Sequence, residues 1–157
     1  MHFSIYRCFR GETMTDESTA AEQRALETQL SSAHSSMRYW RQEATDAEDR
    51  AADLRRVARS LDVEITPLRT LFTPLWTLHT VETWEGQSAN LSRQRLEHHE
   101  ERCTTAIRSI DALIDDLGAE AVRADAWAGT AQSNYTSARR NAANIEMEMG
   151  RFDDFYI

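Results

Sequence analysis

Between Glu97 and Cys103 the chain reads Glu-His-His-Glu-Glu-Arg-Cys, its densest run of side chains able to hold a metal or move a proton. His99 and Cys103 stand four residues apart, the spacing that puts two zinc ligands on one face of a helix. A structural zinc site takes four such ligands, and no second pair stands out elsewhere. Both residues also fall on an apolar stripe, where they read as a half-buried histidine and a core cysteine. The carboxylate pairs Asp115-Asp116 and Asp153-Asp154 are adjacent in sequence, so on a helix each pair splays apart and reads as a solvated acidic face. Di-iron helical proteins need Glu-x-x-His repeated on facing helices, and that repeat is missing. No glycine-rich phosphate loop and no nucleophile elbow is present. The expectation is a protein with no catalytic residues, no cofactor and no metal.

The charge balance narrows the partners. The net charge is -8, with 26 acidic against 18 basic residues, all of the latter arginine. Nucleic-acid binders gain affinity by neutralising phosphates, and an acidic chain with evenly spread arginines lacks the basic face for it. An anionic membrane surface is a poor partner on the same ground. No apolar stretch reaches the roughly 20 residues that span a bilayer, and nothing near the start has the apolar core of a signal peptide. The use of arginine alone, with many alanines, points to GC-rich coding DNA. Two cysteines, Cys8 and Cys103, do not make a disulfide framework. The expected location is the cytoplasm.

The elements that would carry any site are helices. Gly (5) and Pro (2) are too scarce for the turns of a β-rich fold. Leu26, Leu30, Ala33, Met37, Trp40, Ala44, Ala47, Ala51, Leu54, Ala58, Leu61, Ile65 and Leu68 recur in alternating steps of four and three, all of them apolar. In a chain that is 41% hydrophobic, chance gives such a run about once in 100,000 per register. This is a coiled-coil stripe. Ser18 or Thr19, with Glu22 completing a capping box after Thr19, would start the helix. Thr66-Pro67 and Thr73-Pro74 predict a kink near 67–74, because an interior proline removes a backbone bond, and then a short helix to about Thr83. Gly86 is the candidate corner, since glycine takes positive φ at little cost. A second stripe follows: Leu96, His99, Cys103, Ala106, Ile110, Leu113 and Leu117, then Ala121, Ala124, Trp127, Ala131, Tyr135, Ala138, Ala142 and Ile145. Gly118 leaves one long helix or two shorter ones open.

An apolar stripe must be buried against something, and the nearest partner is the other arm folded back. The expected fold is mainly α: an elongated antiparallel helical hairpin or coiled coil, kinked near Pro67–Pro74, with its turn at Trp84–Gly86. Residues whose numbers sum to about 170 would lie level, setting Trp127 near Ala44 and Trp40 near Gly129 and Ala131, large against small. The stretch Ala44, Ala47, Ala51 would be a close but weak seam with room for a second protein. Residues 1–17 read as a disordered or non-native extension, Met14-Thr15-Asp16-Glu17 having the look of a start. Residues 18–150 form a single hairpin domain. The aromatic tail 151–157 would either dock in a partner's groove or cover the open end.

At the corner, Trp84-Glu85-Gly86 with long striped helices on both sides resembles the WXG family of small helical proteins associated with type VII secretion. Trp127-Ala128-Gly129, followed by Ala131 and Tyr135, repeats the pattern. The likeness covers residues 18–148 in pattern and few in identity. It implies an antiparallel helical hairpin that pairs with a protein partner as a homo- or hetero-dimer, is exported by the type VII route, and uses Trp84 and Gly86 to shape the turn. Trp40, Ala44, Ala47, Ala51, Trp127, Gly129, Ala131 and Tyr135 would face the partner or pack the hairpin. Two features depart from the family: the chain is longer, and Tyr135 is followed four residues later by Arg139, where the export signal has an acid. Tyr39 and Glu43 have that spacing in the other arm. The alternative is a structural coiled-coil scaffold or oligomeric spacer unrelated to secretion.

Overall fold

A computed structural model describes residues 12–79 and 85–153, with side chains from 17 to 79 and from 85 to 151. Helix α1 runs Glu12–Thr70, α2 Phe72–Leu78 and α3 Gln87–Asp153. Among the described residues there is no strand, and the helices pair as an antiparallel hairpin. Trp84, Cys8 and the tail beyond Asp153 lie outside the described residues. None of the described helices is long and apolar enough to cross a membrane.

The helix boundaries correct three expectations. α1 begins at Glu12, so Ser18 and Thr19 sit inside the helix, and residues 12–17 are helical rather than disordered. Capping residues mark a helix start only where the preceding chain leaves the helix, and here it does not. α3 is continuous through Gly118. The expected break falls at Leu71, between α1 and α2, where the Leu71 amide bonds the Leu68 carbonyl at 3.3 Å. Pro67 lies in the last turn of α1 and Pro74 in the first turn of α2. At Pro74 the missing N–H removes little, because the first helical amides have no partner within the helix, whereas at Pro67 it deprives the Val63 carbonyl of its helical bond just before the break. The short helix ends at Leu78, before the predicted Thr83.

Contacts cluster the chain into two compact units, Met1–Thr45 with Ala128–Ile157, and Asp46–Trp127. In the first, Ala33, Ala142 and Ile145 form a buried cluster against Leu26, Leu30, Met37 and Met149. In the second, Ala47, Ala51, Ile65, Ala89, Ala121 and Ala124 are buried. The stripe predicted on α1 is buried or half-buried from Leu26 to Ile65, and only Leu68 is exposed. Across Leu71 its four-three steps continue through Phe72, Leu75 and His79, all half-buried.

On α3 the seam differs from the predicted stripe. A continuous line of buried or half-buried residues runs Leu96, Glu100, Cys103, Ile107, Ile110, Ile114, Leu117, Ala121, Ala124, Ala128, Ala131, Tyr135, Ala138, Ala142, Ile145 and Met149. They keep alternate steps of four and three with no slip, the mark of one heptad frame. His99, Ala106, Leu113 and Trp127 stand one position before seam residues and are exposed.

The pairing register is also offset from the expected one. Leu30 with Ile145 and Ala33 with Ala142, both within the buried cluster, sum to 175. Arg55 with Asp125 and Arg69 with Asp111 on one flank sum to 180, and Arg50 with Glu120 on the other to 170. The seam itself therefore runs five residues off the predicted sum. It sets Trp40 level with Tyr135 rather than with Gly129 and Ala131. In the second unit the same register sets Leu54 against Ala121 and Ala58 against Leu117, so large does face small there.

Among the described residues, ten of the twelve buried apolar ones are alanine, and no large side chain is fully buried. Two helices enclose little volume between them, so only a small side chain at the seam escapes water entirely. Exposed hydroxyls within the helices bond carbonyls one turn back, as Thr28 does to Arg24 and Ser133 to Gly129.

Candidate functional site

Gly86 opens α3. Its φ is 104°, a left-handed conformation that side chains disfavour, and its carbonyl accepts the first helical bond, from the Asn90 amide at 3.2 Å. The glycine thus stands at the start of the second arm rather than capping the end of the first. Its partner in the motif, Trp84, falls outside the described residues. Glu85 is exposed.

The second unit carries a polar layer toward its α2 end. Trp76 donates its indole N–H to Glu100 Oε2 at 2.7 Å. His79 Nδ1 lies 3.0 Å from the Leu75 carbonyl, and Nε2 lies 3.2 Å from Ser92 Oγ. Glu100 holds a seam position, where an isolated carboxylate would face a desolvation cost; the indole bond offsets part of it. The sequence carried a signal for this: a strict heptad count through α3 lands on Glu100, whereas following apolar residues alone steps to His99. His99 is exposed and Cys103 half-buried. Among the described residues no three histidine, cysteine or acidic side chains come together as a metal site.

The alanines expected to face a partner are spent on packing. Ala44 is 5% exposed, Ala47 7%, Ala51 0% and Ala131 0%. Tyr135 is half-buried. Trp127, expected in the seam, is 44% exposed, and its neighbour Ala128 is buried instead. Gly129 is exposed, and a Cβ there would meet nothing within 4 Å. Trp40 is half-buried, its ring edge-on to Tyr39 with centroids 4.9 Å apart.

The two flanks of the seam differ. In the second unit, the flank just after the seam carries Arg55 paired with Asp125, and Arg69 shared between Asp62 at 2.9 Å and Asp111 at 2.5 Å. Those two carboxylates hold the Arg69 guanidinium above its ordinary pKa, the Asp111 hydrogen bond contributing most. The flank just before the seam carries Arg50 paired across the arms with Glu120 at 2.7 Å, and Glu120 also pairs with Arg123 on its own helix. Glu120 is held below the usual carboxylate value, first by its hydrogen bond from Arg123, then by that residue's charge, and least by Arg50. One heptad on, the same flank is apolar: Val57 and Leu113, which the register sets level, are 49% and 48% exposed. The next residue at that heptad position on the first arm is the exposed Glu64, and beyond it Leu71 and Leu78 are 45% and 66% exposed.

In the first unit the corresponding flank holds a groove of about 500 Å³, lined by Gln29, Ser36, Trp40, Asn134, Ser137 and Asn141 among others. Its opposite flank carries His34 3.7 Å from Glu146. Neither flank was legible as a site in the sequence, because their meaning depends on a register that sequence periodicity alone did not fix.

No family model, no curated protein and no solved structure matches the chain. The fold is that of a helical hairpin.

Proposed function

We propose that this chain is a helical binding protein, a WXG-like substrate or partner of a type VII secretion system, that acts by helix–helix association. The observation that carries the reading is the unequal pair of flanks. In the second unit one carries the cross-arm ion pairs of Arg55 and Arg69, while the other, beyond its Arg50–Glu120 pair, exposes Val57, Leu113, Leu71 and Leu78 with Glu64 among them. Scattered single leucines need no explanation, but apolar residues recurring at one heptad position widen a helix's apolar stripe toward a further partner. The positive φ of Gly86 at the start of the second arm supports the turn role that the Trp84-Glu85-Gly86 motif gives it. In this reading the protein is made in the cytoplasm and leaves by the type VII route.

The alternative, a coiled-coil spacer, would pair the 26–68 seam between chains. In each unit that seam is filled by the chain's own α3, which favours the first reading. The test is export. The chain is expected in the culture fluid of cells with a working type VII system and not of cells lacking its ATPase. The Trp84→Ala/Gly86→Ala variant is expected to stay inside. Equal amounts outside both strains, or none outside either, overturns the secretion reading.

A further inference from the structure

Helix α2 is tied weakly to the helix before it. It has seven residues, and a helix of fewer than about 12 is marginal by itself. Helical order passes along a chain through backbone bonds, and here that path is cut twice. Pro74 offers no amide to the Thr70 carbonyl across the break, and Pro67 offers none to Val63 just before it. Leu71, at the N-cap, makes no side-chain cap, and its own amide bonds back to Leu68. The order of α1 therefore does not carry into α2.

Burial does not hold α2 either. None of its residues is buried; Phe72, Leu75 and Trp76 are half-buried, whereas the arm before the break buries Ala47, Ala51 and Ile65. Polar bonds add to this partial packing against α3. Trp76 donates to Glu100 at 2.7 Å, and His79, at the C-cap, lies 3.2 Å from Ser92. Such bonds exchange for water at small net cost, because each group finds a water partner on separating. Apolar burial has no such substitute. A segment with few buried contacts, held in part by polar bonds, opens and recloses more readily than the alanine seam beside it.

The pairing defines what α2 covers. Phe72 stands one turn before Trp76 and Cys103 one turn after Glu100, so antiparallel packing sets Phe72 and Cys103 level. Cys103 is half-buried, and so is Leu96 on the other side of Glu100.

We propose that α2 is a latch over the α3 seam. It opens as a unit at Leu71, breaking the Trp76–Glu100 and His79–Ser92 bonds, while residues 46–70 stay paired with α3. Opening uncovers Leu96, Glu100 and Cys103. The latch needs no partner, so its test stands whatever the export experiment shows.

The thiol of Cys103 reports the opening. The full chain is treated with a maleimide under native conditions, and peptide mass mapping separates Cys103 from Cys8. Cys103 is expected to react more slowly than in the same chain unfolded in urea. Trp76→Phe keeps the ring and removes the donor to Glu100, and is expected to raise the Cys103 rate by about tenfold. Ala51→Gly weakens the same unit away from α2 and is expected to leave that rate unchanged, although it lowers the urea midpoint. A Cys103 rate equal to that of the unfolded chain, a Trp76→Phe rate equal to the wild type's, or a rate raised by Ala51→Gly as well overturns the latch. If Trp76→Phe loses helix content by circular dichroism, hydrogen exchange of the wild type gives the same answer. The amides of residues 75–79 are expected to exchange faster than those of 47–65, with a shallower dependence on urea. Equal exchange with equal urea dependence means that α2 opens only when the whole unit unfolds, and it overturns the proposal.

Discussion

Ala51 and Ala131 are both fully buried in the seam, one in each unit, and replacing either with leucine tests how closed that seam is. Leucine adds three carbons. Were there room, their burial would stabilise the chain by about 2 kcal/mol, at roughly 0.8 kcal/mol per methylene. If the helices are held as close as two alanines allow, the same carbons force them apart at a cost of about 1–3 kcal/mol. The structure favours the second outcome, because a side chain with no solvent exposure has neighbours on every side. The register sets Ala51 level with Ala124 and Ala131 level with Ala44, so small meets small. Thermal melts followed by circular dichroism at one fixed protein concentration are the assay, since association would otherwise shift the midpoint. At about 2–4 °C per kcal/mol for a chain of this size, each variant is expected to melt roughly 2–12 °C below the wild type. Ala112→Leu, on an exposed part of α3, is the control and is expected to stay within about 0.5 kcal/mol. A rise in midpoint for Ala51→Leu or Ala131→Leu would refute the close seam and mean that the helices part freely.

Two glycines should answer oppositely to alanine. At Gly86 a Cβ meets nothing, so Gly86→Ala carries only the backbone penalty of its positive φ, about 1–2 kcal/mol, read as a lower urea midpoint. At Gly118, inside α3 and also unobstructed, Gly118→Ala is expected to stabilise by about 1 kcal/mol from helix propensity. Trp76→Phe removes the donor to Glu100 and is expected to cost about 1–2 kcal/mol; adding Glu100→Leu is expected to recover that loss in the same urea titration. Glu120 is held below its ordinary value of 4.5, so its contribution is complete above that pH and fades as pH falls through the folded-state value. The gap in melting temperature between the wild type and Glu120→Gln is therefore expected at neutral pH and to close on acidification below 4.5.

The hairpin was legible in the sequence because the first arm's stripe is all apolar over thirteen positions. A helix carrying such a stripe has to fold against something. The second arm was harder to read for a physical reason. Its true seam passes through Glu100, a charged residue, while the flank beside it offers Ala106, Leu113 and Trp127. A reading that follows apolar residues drifts onto that flank. The drift misplaced Trp127 in the seam and hid Ala128. Likewise Ser18, Thr19 and Glu22 have the chemistry of a helix start, but a cap works only where the chain before it leaves the helix, and Glu12 to Glu17 continue it. The corner glycine was legible because positive φ has a single cheap solution. The groove at Trp40 was not, since Gln29 and Asn141 mean something together only once the pairing register is known.

The ion pairs across the second unit have a consequence beyond their small individual energies, which at exposed sites amount to about 0–1 kcal/mol each. An alanine seam is repetitive, and sliding one helix past the other by a heptad would again lay alanine near alanine or leucine. The charges tell these alignments apart. One heptad in either direction sets Arg55 against Gly118 or Gln132 instead of Asp125, Arg69 against Thr104 or Gly118 instead of Asp111, and Arg50 against Leu113 or Trp127 instead of Glu120. These three cross-arm pairs of the second unit are lost at once in both misalignments. Within that unit the flanks thus work as a vernier: contacts too weak to hold its helices together still favour the one alignment in which they come to rest.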